Sequence, residues 1–344
     1  MRILHIIFSL NIGGAENLLV DTLNEQVKSQ TVALFIINDE YNPDLLAKIN
    51  PDIPISLLKR KKGSFNLLKV MEANRTIRKY NPDVIHFHNH NGIRILTRPS
   101  LYRKVLTIHD VGILSNHLRK YDKILAISKA VQKDIFDRTN LESVLIYNGI
   151  DLSKIKIKTE KPTGIFRMVQ VSRLEHLKKG QDILLKAIAL LVDKYEIDSF
   201  SLDFIGAGSS EYYLKELIKQ YNLEKFVTFT GEKRREDIYN NLHNYDLLIQ
   251  PSIYEGFGLT VAEAMAARVP VLVSANDGPM EIIENGEYGF WFRKGDAEHC
   301  CEQIRQIILQ REKLNIISDN AFQHVIKNFN IVDTASLYIQ SYSK

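Results

Sequence analysis

Short apolar runs rich in Val, Ile, Leu and Phe alternate along this chain with stretches in which apolar residues recur every three or four positions. The runs have the length of buried strands, and the stretches between them have the period of amphipathic helices. In the first half the pattern predicts strands over residues 3–8, 31–37, 84–88, 104–108, 123–126 and 143–146, with helices over 15–27 and 65–79. In the second half it predicts strands over 167–171, 202–205, 227–229, 247–250 and 270–273, with helices over 181–191, 212–220, 235–243, 259–267 and 297–309. The stretch 321–342 reads as a further helix able to pack back across a linker. Strands alternating with helices specify parallel sheets covered on both faces, and in such sheets ligands sit beyond the carboxyl ends of the strands. The lysine-rich segment 154–161, followed by Pro162-Thr163-Gly164, interrupts the rhythm and reads as the linker. The expected organisation is two α/β domains, 1–160 and 165–325, with a helical segment 326–344 that returns toward the first.

Composition narrows the setting. At 344 residues the chain is too long for one compact core, and 45% apolar with 25% charged residues suits a soluble globular protein. No apolar run approaches the roughly 18 residues that span a bilayer. The run 3–10 contains His5 and leads into Asn11-Ile12-Gly13-Gly14, so it reads as a buried first strand and not as a secretory signal. Its two cysteines, Cys300 and Cys301, are adjacent, which suits neither a disulfide nor a metal cage; a cytoplasmic location is expected.

Charge is split unevenly. Residues 1–163 hold 25 Lys and Arg against 16 Asp and Glu, a balance of +9, whereas the remainder holds 20 against 25, a balance of −5. A basic half beside an acidic one suggests that the first half meets something anionic. No helix-turn-helix, zinc finger or RNP-type aromatic motif supports nucleic acid as that partner. An anionic membrane surface or a phosphate-bearing acceptor fits better, with Lys59-Arg60-Lys61-Lys62 as the densest cluster. Plain surface solvation is the competing reading.

The most informative segment is Tyr254-Glu255-Gly256-Phe257-Gly258-Leu259-Thr260-Val261-Ala262-Glu263, which follows a strand and opens a helix. Gly256 and Gly258 allow a tight turn and close approach of a ligand. The free N–H groups of the first helical turn favour an anion there. Glu263 lies four residues after Leu259, on the face of the helix start, where a carboxylate can accept two hydrogen bonds from a diol. Glu255, at the strand end, reaches the same pocket. Alternation along strand 84–88 and beyond places His86, His88 and His90 on one face, a metal-like arrangement. No two aspartates are separated by a single residue, so a D-x-D metal motif is absent and no metal is expected.

These motifs resemble those of the retaining glycosyltransferases of family 4, which have the GT-B fold. Glu255 to Glu263 matches the family's E-x7-E motif, and Val171-Ser172-Arg173-Leu174 with Lys179-Gly180 matches its Arg and Lys-Gly donor motif. Asn11-Ile12-Gly13-Gly14-Ala15-Glu16 matches the glycine loop after the first strand. Thr107-Ile108-His109-Asp110 matches the segment with the active-site histidine, and Asn148-Gly149-Ile150-Asp151 the turn before the linker. The resemblance covers nearly the whole chain, with five motifs in order.

It implies an α/β GT-B protein of two Rossmann-like domains whose parallel sheets face a central cleft. The first would bind the acceptor through Asn11, Glu16 and His88, and the second the donor. Arg173 and Lys179 would neutralise the departing diphosphate, Glu263 would hold the ribose, and Glu255 would orient the transferred sugar. Backbone amides of Gly256, Phe257 and Gly258 would face that sugar, and those of Leu259 and Thr260 the phosphate. Gly13 and Gly14 would let the opposite wall close over the diphosphate, and His109 would contact the sugar. Gly206, in Ile205-Gly206-Ala207-Gly208, would turn the donor domain's strand end. Glu16 has a second reading, compensation of its own helix dipole.

The expected reaction moves a hexose-type sugar from a nucleotide-diphosphate sugar, UDP-sugar before GDP-sugar, to an acceptor hydroxyl. No cofactor is expected. The acceptor would be a saccharide or a lipid-linked one in bacterial surface polysaccharide or glycolipid assembly, with peripheral contact to the inner face of the plasma membrane. A GT-B nucleotide-sugar epimerase and a non-catalytic nucleotide-sugar-binding partner are the alternatives. A dinucleotide-dependent oxidoreductase is disfavoured because N-I-G-G-A-E, and not G-x-G-x-x-G, follows the first strand.

Overall fold

In a computed structural model, residues 1–64, 66–113, 116–159 and 164–343 are described. They divide into two compact units, one of Met1–Asp151 with Phe329–Lys344 and one of Leu152–Asn328.

The first unit is a sheet of seven strands: β1 (Arg2–Ile7), β2 (Thr31–Asn38), β3 (Ile55–Arg60), β4 (Val84–Phe87), β5 (Arg103–Ile108), β6 (Lys123–Ala126) and β7 (Val144–Leu145). Their order is β3-β2-β1-β4-β5-β6-β7, with every pair parallel. The second unit has six: β8 (Phe166–Val171), β9 (Phe200–Ile205), β10 (Val227–Gly231), β11 (Leu247–Gln250), β12 (Val271–Ser274) and β13 (Phe290–Phe292). They run in the order β10-β9-β8-β11-β12-β13, again all parallel. In each sheet the strand order reverses once, at β1/β4 and at β8/β11. Crossovers leave in opposite directions at these points, so a crevice opens beyond the carboxyl ends of the two strands. The loops after β1, β8 and β11 carry three of the five sequence motifs, and the motif with His109 ends β5.

Two strands escape the hydrophobic pattern. β3 is an edge strand whose Ile55 is exposed and whose end is Lys59-Arg60, so its polar residues look like loop. β13 is only Phe-Trp-Phe, too short to count as a run. The pattern also misses the helix Lys129–Thr139, which buries only Val131 and Ile135.

The stretch read as one terminal helix is two, Leu314–Asn328 and Ile331–Tyr342, broken at Phe329-Asn330. Asn330 caps the second by accepting from the Val332 N–H at 3.0 Å, and Ile150 pairs with the same break through N–H to Phe329 O at 2.8 Å. Tyr338 and Tyr342 then enter the core of the first unit with Leu19, Leu23, Val84 and Val105. Within the stretch read as a linker, the chain is fastened to the second unit: Lys156 N–H donates to Tyr239 O, and the Lys158 Nζ lies 2.6 Å from Asp246 in a mostly buried pair. Residues 160–163 of that stretch, and Phe65 at the expected start of helix 65–79, lie outside the described residues; the helix itself runs over Leu67–Tyr80.

Candidate active site

The second unit's crevice is built from the loops after β8 and β11. The β8 loop carries Ser172-Arg173-Leu174, and Gly206, just past β9, packs against it. A Cβ on Gly206 would fall 2.0 Å from Ser172 O, and its φ of +143° disfavours any side chain, so glycine is required for the two loops to touch. Arg173 projects outward, 68% exposed, with its guanidinium 3.2 Å from Glu175. In water such a pair is weak, so the guanidinium is available to a stronger anion. Lys179 ends the short helix His176–Lys179 and is held differently. Its Nζ donates to Glu255 Oε2 at 2.6 Å, and the two side chains are only 13% and 17% exposed. That same oxygen accepts from Gln250 Nε2 at 3.1 Å and Ser252 Oγ at 3.3 Å. Three donors converge on one carboxylate oxygen, which fixes the orientation of the Glu255 side chain.

Beyond Glu255 the chain buries Phe257, which anchors the loop, and turns at Gly258 with a φ of +107°. Gly258 caps the helix Leu259–Ala266 without any side-chain acceptor. The first bond of the helix runs from the Val261 N–H to Gly258 O, so the amides of Leu259 and Thr260 stand ahead of the hydrogen-bond ladder. The positive end of the helix dipole therefore faces the crevice uncompensated by an acidic residue in the first turn. One turn on, Glu263 is 9% exposed and accepts from Tyr239 Oη at 2.7 Å through Oε1. Arg235 completes the group: its Nε donates to Tyr239 Oη at 2.7 Å, its guanidinium lies over the Tyr239 ring, and it sits 3.9 Å from Glu263.

The first unit's crevice lies beyond β1 and β4. Asn11 is exposed, and Gly13 and Gly14 lead into the helix Gly14–Gln26. Asn17 Nδ2 donates to Gly13 O at 2.8 Å. A Cβ on Gly13 would meet Glu16 Oε2 at 2.3 Å, so the carboxylate folds back over the glycine loop onto its own helix start, where it compensates the dipole.

Behind this loop lies a chain of imidazoles. His5 on β1 makes a 2.8 Å contact through Nε2 with Gln26 Oε1 and a 3.0 Å contact through Nδ1 with His88 Nε2. His88 Nδ1 in turn lies 3.4 Å from His109 Nε2, with the two rings stacked at 5.7 Å. His86 contacts Tyr342 Oη at 2.6 Å and Thr107 Oγ1 at 2.7 Å. Burial holds His5 and His109 down at about 4, and His86 and His88 well below the ordinary imidazole value. Neighbouring rings add to the depression for His86 and His88, because a second positive charge so close is unfavourable.

The expectation that His86, His88 and His90 share a face is corrected here. β4 ends at Phe87, and the chain turns where Asn89 accepts the Phe8 N–H at 2.8 Å, so alternation stops before His90. His90 pairs with Asn91 at 2.9 Å, and His5 from the neighbouring strand takes the third place in the cluster. Ligand atoms of His5, His86 and His88 lie within 4.8 Å of one another, yet hydrogen bonds engage both ring nitrogens of each. His88, expected to touch an acceptor, is buried behind His109 with both nitrogens on other imidazoles.

The sequence reading singled out Lys179, Glu255, Gly258 and Glu263, and the fold gathers them around one strand end and helix start. It passed over Tyr239, Arg235, Gln250, Ser252, His5 and Gln26. Only His5, a histidine inside an otherwise apolar strand, carried a signal.

Residues 152–324 match the family described as Glycosyl transferases group 1, and residues 12–154 the one described as Glycosyltransferase Family 4. An N-acetyl-alpha-D-glucosaminyl L-malate synthase of Bacillus anthracis is 24% identical over 80% of this chain and 78% of its own length. The chain spans 61% and 60% of the lengths of two Methanocaldococcus jannaschii proteins, each named an uncharacterized glycosyltransferase, at 27% and 25% identity over 63% and 65% of this chain. Anabaena HepE, solved with UDP and glucose, superposes with a TM-score of 0.84 at 22% identity over 99% of both chains. Sucrose-phosphate synthase of Thermosynechococcus elongatus gives 0.83 at 19% identity over 99% of this chain and 98% of its own. At these identities the likeness establishes the GT-B fold.

The imidazole cluster makes stability depend on pH. Folded pKa values below 6.5 mean that the unfolded chain takes up protons that the folded one refuses. The stabilisation is present in full above pH 6.5 and declines as pH falls toward 4, by about 1.4 kcal/mol per pH unit for each buried ring. The urea midpoint of the first unit, followed by hydrogen exchange in β1 and β4, should fall between pH 6.5 and 5. A flat midpoint across that window would mean that the rings are protonated in the fold.

Proposed function

We propose, on the ground that the chain belongs to glycosyltransferase family 4 of the group 1 glycosyl transferases, that it transfers a hexose-type sugar from a nucleotide-diphosphate sugar to an acceptor hydroxyl with retention of configuration. The observation that carries this reading is the desolvated Lys179–Glu255 pair at the uncapped start of the helix Leu259–Ala266, with Glu263 one turn further. Together these groups offer what a nucleotide sugar presents: a cation and open amides for the diphosphate, and carboxylates for hydroxyls.

In this reading the second unit holds the donor and the first the acceptor. Glu263, held through Oε1 by Tyr239, is the carboxylate proposed to meet the ribose diol. Lys179 exchanges part of its bond with Glu255 for the departing diphosphate, and Arg173 swings from Glu175 to join it. Glu255, still held by Gln250 and Ser252, orients the sugar. A carboxylate oxygen with three donors on it is a poor nucleophile, which favours front-face transfer: the leaving phosphate oxygen takes the acceptor's proton as the new C–O bond forms on the same side. The first unit offers His109, Asn11 and the loop of Gly13 and Gly14 for contact with substrate. The two cations make the reaction independent of metal. A UDP-sugar is the favoured donor, since HepE was solved with UDP and with UDP-glucose.

The acceptor is proposed to be a lipid-linked saccharide at an anionic membrane. No helix among the described residues is long and apolar enough to cross a membrane, so the contact is peripheral. Leu67, Leu68 and Met71, on the first turns of the helix Leu67–Tyr80, are 63%, 75% and 59% exposed, and Lys59 and Lys61, a few residues earlier in the chain, are exposed as well. Arg60 does not share this role. Its guanidinium donates to Asn38 at 2.9 Å and lies over Phe8. Lys62 is exposed and reaches Glu40 at 3.0 Å.

Three outcomes are expected. In calorimetry with UDP, Glu263→Ala should raise the dissociation constant about tenfold, the worth of a charge-assisted bond; an unchanged constant would move the ribose off this helix. Lys179→Ala should lose about two orders of magnitude in turnover with circular dichroism intact, while the wild type keeps its rate in excess EDTA. Loss of activity in EDTA with recovery on adding magnesium would replace the two cations by a metal. In sedimentation with phosphatidylglycerol vesicles, wild type should pellet at low salt and be released at high salt. A variant with Leu67→Ser, Leu68→Ser, Lys59→Gln and Lys61→Gln should remain in the supernatant; equal pelleting of both would remove this surface from the proposal.

A further inference from the structure

Each ring in the imidazole chain of the first unit is neutral near pH 7, so each carries one proton and one lone pair. In a hydrogen-bonded chain of such rings the tautomer of one dictates the tautomer of the next. The chain has a defined beginning. Gln26 Nε2 donates to Tyr342 Oη at 3.2 Å, which turns its carbonyl Oε1 toward His5 Nε2. An amide oxygen only accepts, so His5 carries its proton on Nε2 and offers a lone pair at Nδ1. His88 then donates from Nε2 to that lone pair and keeps its own at Nδ1. His109 donates from Nε2 to His88 Nδ1, and its remaining lone pair is on Nδ1. That Nδ1 is buried and has no hydrogen-bond partner among the described residues.

We propose that Gln26, His5 and His88 form a positioning relay that fixes His109 as the Nε2–H tautomer, so that its Nδ1 presents a lone pair to a hydroxyl of a sugar substrate. The reading rests on the proposed glycosyl transfer for the identity of the hydroxyl, but the tautomer itself does not. An orphaned acceptor in a desolvated place is costly until a donor arrives, and it discriminates. A hydroxyl satisfies it, whereas a deoxy or fluoro substituent at the same carbon leaves it empty. The relay reaches that atom from Tyr342 on the last helix, through buried side chains, without touching the ligand. Tyr342 itself is fixed by a second bond, to His86 Nδ1 at 2.6 Å, and His86 by Thr107 at 2.7 Å, so the anchor does not rotate freely.

Long-range proton–nitrogen correlation spectra of histidine-labelled protein test the tautomer directly, with the His109 signals assigned by their loss in His109→Gln. At pH 7.5, His109 should show an unprotonated Nδ1 and a protonated Nε2. Gln26→Met, which keeps the volume and removes the amide, should shift His5, His88 and His109 toward mixed tautomers. It should lower kcat by about tenfold, the usual scale for losing an outer hydrogen-bond partner, and leave UDP affinity unchanged. Tyr342→Phe, which frees the Gln26 amide to turn over, should do the same to a smaller extent. A protonated Nδ1 on His109 in the wild type would overturn the relay, as would unchanged spectra in Gln26→Met. Altered tautomers with an unaltered kcat would overturn its part in transfer. If the wild type transfers no sugar at all, the spectra still decide the relay, and the failure belongs to the proposed function.

Discussion

A parallel strand whose neighbours are reached by crossovers in opposite directions cannot have its carboxyl end covered by either connection. That constraint operates twice in this chain, at β1/β4 and at β8/β11. It explains why these polar, motif-bearing loops stand where they do: Gly13-Gly14 after β1, His88 after β4, Arg173 after β8 and Glu255 after β11. The sheets themselves are almost wholly apolar, with Ile3, Val84, Met168 and Leu247 fully buried. Several of the buried polar side chains, among them His88, Ser252 and Glu263, lie at or just beyond these uncovered ends, where a ligand or a hydrogen-bonded partner can repay their loss of water.

The two ends satisfy their buried polar groups by different means. In the second unit charge meets charge: Lys179 with Glu255, and Arg235 through Tyr239 with Glu263. A buried pair adds little net stability, since desolvation offsets attraction, but its geometry is tightly defined and either member can be taken over by a stronger partner. In the first unit neutral rings and amides do the same work through His5, His88 and Gln26. A neutral network is cheaper to bury and keeps direction, because every link has a donor side and an acceptor side.

The parts of this arrangement that were legible in the sequence are those set by backbone requirements. Gly256-Phe257-Gly258 before Leu259 marks a turn into a helix whatever the rest of the fold, and the apolar runs mark eleven of the thirteen strands. What could not be read depends on neighbours distant in sequence. Tyr239 is 24 residues from Glu263 and, as a buried aromatic in a helix, looks like core. Gln26 meets Tyr342 across 316 residues. His90 appeared equivalent to His88 by alternation, and only the end of β4 at Phe87 separates them. Arg60 appeared to be one of four equal cations, until the end of the edge strand turned it toward Asn38 and Phe8.

The return of the chain at Phe329 sets an order of assembly on the ribosome. The first unit begins with Met1 but contains the helix Ile331–Tyr342, and the second unit closes within Leu152–Asn328. As the polypeptide emerges, the later-coded unit has all its strands before the earlier-coded one has its last helix. Until residues 331–342 leave the exit tunnel, the nascent first sheet has no Tyr338 or Tyr342 to cover Leu19, Val84 and His86. Translation thus leaves that apolar face open while residues 152–330 are made, and this is the face a chaperone would meet.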